Sequence, residues 1–245
     1  MPGCHRTRLA LWLAVKKNRA SRVNYLILAA LPALCFYLWS KESFETAMKF
    51  FLFLFPYVFL FLSQDMIRDE VRSGALENVI FLGGEHKVYL SKKSFALNSL
   101  ALGYVGVLFA GLLLFAWSTH RLQSVYLCQF LVGILVGIYY VHLAGLLSFY
   151  LGGGSNVLIL VLVQALAFIG IMFSVSQRSG FIDALERGIF PDLISRLEIL
   201  AMVACLPNVV IWKKLWLYSV EILILLAFLI GLQKIKIGGL ELKKQ

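Results

Sequence analysis

Residues 95–117 read FALNSLALGYVGVLFAGLLLFAW, twenty-three consecutive positions without an Asp, Glu, Lys, Arg or His. A helix needs about 20 mostly apolar residues to cross the hydrocarbon core of a bilayer. This stretch meets that length, and its surroundings agree with it. The chain has 245 residues, of which 60% are hydrophobic and only 15% charged, and its mean hydropathy is +0.84. Ordinary soluble domains carry about 25% charged residues. Five further segments are apolar over a comparable length: 23–39, 47–63, 125–151, 157–175 and 215–232. The first two are short, with Tyr25, Trp39 and Tyr57 placed to act as interfacial anchors. Strands of a membrane barrel would show alternation and not unbroken apolar runs. The sequence therefore predicts an all-α polytopic membrane protein with six transmembrane helices.

Basic residues set the expected orientation. The N-terminal arm, the loop between spans two and three and the C-terminal tail together hold fifteen Lys and Arg, and the opposite side holds eight. Both termini are thus expected in the cytoplasm. The net charge of +10 reads as topology and attraction to anionic membrane lipid, not as nucleic-acid binding. The arm CHRTRLALWLAVKKNRASR has an apolar middle between basic flanks, which suits a segment lying along the inner membrane face. A cleaved signal peptide is not expected, because the run 9–15 meets KKNR and not small residues.

Within the spans, Pro32 predicts a kink in the first. Gly133 and Gly137 in the fourth form a small-xxx-small face for close helix approach. The third span carries Gly103, Gly106 and Gly111, also read as packing positions. GGGSN at 152–156 predicts a tight turn and lacks the Lys-Ser/Thr ending of a phosphate-binding loop, so ATP is not bound by that route. Residues 177–212 contain two amphipathic stretches too short to cross, separated at Pro191. They predict interfacial or re-entrant helices on the outer side before the last span.

Polar residues inside the spans are functional candidates by default. They are Gln129, His142, Gln164 and Glu221, read as candidates for a translocation path or interface. No HExxH or GxSxG motif, paired-cysteine spacing or histidine cluster accompanies them, so neither a catalytic residue nor a metal site is expected. Glu221 lies seven residues after Lys214, about 10 Å along a helix. A carboxylate at that depth needs a polar cavity, a partner or a proton.

The remaining anomaly is the charged insert RDEVRSGALENVIFLGGEHKVYLSKK, 68–93. It resembles the first cytoplasmic loop of the permease subunits of ABC-2 type exporters. That loop reads Glu-x-x-x-Gly-Thr-Leu-Glu, two apolar residues, a proline, and a Gly-Lys opening the third span. The matches are Glu70, Gly74, Leu76, Glu77, Val79, Ile80 and Lys92; the departures are Ala75, Gly83 and Ser91 at the Thr, Pro and Gly positions. The resemblance implies that residues 1–22 form an amphipathic connector arm and 23–245 one six-helix transmembrane domain. It also implies a cytoplasmic coupling loop over 64–93, with Leu76, Val79 and Ile80 filling a groove of a separate ATP-binding cassette ATPase. ATP and Mg would be bound by that partner, with no cofactor in this chain. A second permease copy or sister permease would complete the transporter, in the cell membrane of a prokaryote. The alternative function is a scaffold or assembly subunit that uses the loop only for docking.

Overall fold

The computed structural model describes residues 22–81, 85–152, 155–177, 193–211 and 218–239. Among them the protein is all-helical. In chain order the helices are α1 (Arg22–Lys41), α2 (Phe44–Leu54), α3 (Pro56–Ser63), α4 (Arg68–Arg72), α5 (Ala75–Phe81), α6 (His86–Ser118), α7 (Val125–Leu147), α8 (Ser155–Gln177), α9 (Leu193–Cys205) and α10 (Ser219–Gly238), with a 3-10 turn at Pro207–Ile211 between the last two. Residues 1–21 of the expected arm, 1–22, and the first of the two expected interfacial helices lie outside the described residues.

Among the described residues three stretches are long and apolar enough to cross a membrane: Phe44–Arg72, His86–Ser118 and Val125–Leu147. Leu28–Lys41 and Ser155–Gly170 are apolar but shorter. Helix α10 has 20 residues with Glu221 in its first turn and Lys236 in its last. Large apolar side chains line the outside of the bundle, as Phe95, Val107, Leu114, Leu166, Phe173 and Phe228 illustrate. Such a surface is satisfied by lipid.

Helix α7 is the axis of the bundle. Val136, Tyr140, Val141 and Ala144 have no exposed surface, with α3 packed on one side and α10 on another. Its two glycines explain the fit with α3. A Cβ on Gly133 would overlap the ring of Phe55, and one on Gly137 would lie 2.6 Å from Phe59 Cδ2. Both aromatic rings therefore sit where side chains would otherwise be, as the sequence spacing predicts. Gly103, Gly106 and Gly111 of α6 differ, since nothing stands within 4 Å of a Cβ there.

Two boundaries depart from the sequence reading. Helix α1 runs through Pro32 without a break, whereas the second span divides at Phe55, with Pro56 opening α3. Proline has no N–H to give to Leu52, four residues back, so the ladder stops there and restarts with proline in the first turn, where the missing donor costs nothing. Helix α6 begins at His86, nine residues before the apolar run. Its 33 residues extend about 50 Å, well beyond a hydrocarbon core of about 30 Å. The first three turns of α6 therefore belong with the charged insert.

Candidate functional site

The insert folds back on the end of the bundle. Ser63, at the end of α3, donates to the Phe59 carbonyl at 2.7 Å. The Ile67 N–H donates to Ser148 Oγ at the end of α7 (3.3 Å). Asn156 at the start of α8 donates through Nδ2 to the Gln64 carbonyl. The Arg68 side chain crosses Gly152, where a Cβ would stand 2.7 Å from its Cζ. The ends of α3, α7 and α8, with Gly152 between the last two, thus hold the entry to α4 in one position.

Glu70, expected to face a partner, is buried and faces inward. Its Oε1 pairs with Lys93 Nζ of α6, with side-chain exposures of 10% and 6%. Tyr89 Oη donates to its Oε2 at 2.9 Å. The same Lys93 ammonium also donates to the Met66 carbonyl at 3.0 Å. Lys93 fills this role, and not the motif-matched Lys92, which is half-buried. Buried charges persist only when paired and hydrogen-bonded, and here each oxygen of the carboxylate has a donor. The residue sequence reasoning missed is Lys93. The signal was available: 70 and 93 carry opposite charge on elements that must lie side by side if the insert is short.

Leu76 is likewise corrected. It has no exposed surface and packs with Met66, Ile67, Leu90, Leu97 and Ile237 in a small apolar cluster of its own. It fills a pocket of this chain and not a groove of another. The physical reason is that a seven-residue helix lying on a bundle must spend its one apolar face on the bundle. Gly74 makes the turn that presents that face, with φ at +67°, a region costly for residues with a Cβ. What remains outward is polar or mixed: Val71, Arg72, Ser73, Glu77 and Asn78 are exposed, and Val79 is half-buried. The side chain of Ile80 lies outside the described residues.

A second polar constellation sits mid-bundle. Tyr57 Oη donates to Gln164 Oε1 at 2.6 Å, and Gln164 Nε2 donates to Tyr140 Oη at 2.7 Å. Tyr140 in turn donates to Asn208 Oδ1, and Asn208 Nδ2 donates to the Phe53 carbonyl at 2.5 Å, beside the Pro56 break. One hydrogen-bond chain thus joins α2, α3, α7, α8 and the 3-10 turn. Every residue of that turn is buried, so the segment after α9 dips into the bundle. Hydrogen bonding of this kind is how irregular backbone is accommodated at membrane depth.

The four candidate intramembrane polar residues do not converge. Gln164 belongs to the chain just described. His142 bonds through Nδ1 to Gln233 Oε1 of α10 at 2.7 Å. Gln129 is half-buried and eleven positions from Tyr140, about 16 Å along α7. Glu221 is half-buried, and its Oε2 is enclosed without a hydrogen-bond partner among the described residues. Among those residues no three His, Cys, Asp or Glu side chains come together as metal ligands. No family model, curated protein or solved structure matches the chain.

Proposed function

We propose that the chain is the membrane-spanning permease subunit of an ATP-binding cassette exporter, and that the outer face of α4–α5 receives a separate ATPase. The supporting observation is mechanical. The insert is two short helices bound on their underside by the Glu70–Lys93–Tyr89 cluster and by Leu76, with charged and polar groups turned outward. A push on that face reaches α6 through Lys93, α10 through Ile237 and α7 through Ser148. A merely solvated loop would need no such tethering. In this reading the chain crosses the membrane six times with both ends and the insert in the cytoplasm of a prokaryotic cell. It pairs with a second copy or a sister permease and performs no covalent chemistry, ATP and Mg being held by the partner. Contact residues are Glu77 and Val79, joined by Val71 and Arg72; Glu70, Gly74 and Leu76 shape the surface from beneath.

The test is copurification with the ATPase and ATP turnover of the complex in lipid, comparing wild type with Val71→Ala/Glu77→Ala. Truncating interface anchors costs about 1–2 kcal/mol or more each, so recruitment should fall at least tenfold while the chain stays folded and inserted. Wild-type recruitment, turnover and transport in that variant would sink the coupling role. Recruitment without transport in the wild type would favour the scaffold reading instead.

A further inference from the structure

Pro32 sits inside α1, yet the helix runs through it without a break. Proline has no N–H for the carbonyl four residues back, here that of Leu28, and its ring crowds the same carbonyl. In a membrane such an orphan is costly unless a neighbouring helix supplies a donor. Tyr104 of α6 supplies it, its hydroxyl donating to the Leu28 carbonyl. Tyr104 is near the midpoint of the apolar run 95–117, where a bilayer offers no water in exchange. Pro56 is the counterexample within the same chain. The carbonyl four residues before it is that of Leu52, and no side chain among the described residues donates to it. There the second span divides at Phe55. One proline has a donor for its carbonyl and keeps its helix whole; the other has none and ends one.

A second contact shows which half of α1 the hydroxyl controls. Trp39 meets Phe115 of α6 with ring centroids 4.1 Å apart, and it also meets the buried Phe44 ring of α2. Positions 28 and 104 are 76 apart, as are 39 and 115, so α1 and α6 run parallel in one register. Aromatic packing holds the half of α1 after Pro32, and the half before it is held to α6 through the Leu28 carbonyl. We propose that Tyr104 is the catch of a hinge at Pro32: bonded, it keeps α1 straight, and released, it lets residues 22–31 swing. Sharp kinks at proline exceed about 20°. A hydrogen bond lapses when its atoms part by about 1 Å, so a small slide of α6 is enough. Lys93, tied to Glu70 of the insert, precedes Tyr104 on the same helix by about 16 Å. The insert and the catch therefore sit on one rigid element. The hinge itself requires only α1 and α6 and stands apart from the ATPase proposal.

The experiment makes Tyr104→Phe in the full-length chain twice, once with the native proline and once together with Pro32→Ala. The alanine returns an N–H to the Leu28 carbonyl, so the hydroxyl is no longer needed. Reversible unfolding in detergent should show Tyr104→Phe costing about tenfold in the folding equilibrium beside the proline, as an orphaned buried acceptor does. With Pro32→Ala it should cost no more than about threefold. Spin labels at positions 24 and 91, in a background with the native cysteines replaced, read the swing directly. An arm of eight residues, about 12 Å long, turned through about 20° shifts its end by about 4 Å. That shift is expected for Tyr104→Phe alone and should vanish when Pro32→Ala is added. Folding of the double variant where Tyr104→Phe alone fails to fold would support the catch just as well. Equal losses in the two backgrounds would make Tyr104 a packing residue and end the proposal. An unchanged distance in Tyr104→Phe would likewise remove the hinge, even where stability falls.

Discussion

Lys93 is the residue on which the insert turns. With its side chain 6% exposed, it neutralises Glu70 and ties Met66 and α6 together. Removing one partner of a buried ion pair leaves an uncompensated charge and costs about 3–5 kcal/mol, whereas an apolar replacement of both is often neutral. Lys93→Met should therefore destabilise the protein by about that amount. Lys93→Met/Glu70→Leu should recover most of the loss, leaving only the Tyr89 and Met66 hydrogen bonds unmade. Thermal unfolding in detergent of the two single variants and the double checks this. A loss in the double variant equal to the sum of the two single losses would show that the pair is not coupled. Gly74 and Leu76 act beside it, one by a left-handed backbone and the other by filling the pocket beneath α5.

At the scale of elements, the contact between α3 and α7 decides how the bundle closes. Phe55 and Phe59 occupy the space over Gly133 and Gly137, so the helices meet at closer range than any larger residue would permit. The ring of Phe59 has 1% exposed surface and Phe55 none, which leaves them no alternative seat. Gly137→Leu should force α3 away and cost about 1–3 kcal/mol or more, as overpacking of a filled core does. Gly106→Leu in α6, where nothing stands within 4 Å, should be neutral within about 0.5 kcal/mol. The comparison is made by unfolding both variants under one condition. A comparable loss at Gly106 would mean that α6 packs against a second chain on that face. The polar chain through Tyr57, Gln164, Tyr140 and Asn208 works with this contact, tying the 3-10 turn to the break at Pro56.

For the whole molecule, orientation is the property still carried by charge statistics, fifteen basic residues against eight. In a background with the four native cysteines replaced, a cysteine at Asn78 should resist an impermeant thiol reagent in intact cells, and one at Ser118 should react. Both positions are exposed, so accessibility differs only by side of the membrane. Reaction at Asn78 alone would invert the topology and remove the coupling surface from the cytoplasm. Helical class and membrane character were legible from composition and from runs such as 95–117, because burial in lipid demands an apolar side chain at nearly every position of a helix. The glycine face of α7 was legible too, since one turn of spacing determines which residues share a side. What lay beyond the sequence was direction. Leu76 and Glu70 fit a loop motif that says nothing about which way a short helix faces, and only contact with Leu90, Lys93 and Ile237 turned them inward. The same holds for Gln164 and His142: membrane depth marked each as costly, but their partners are more than 20 residues away in the chain. A one-dimensional pattern records periodicity within an element; only the packed bundle determines which elements meet.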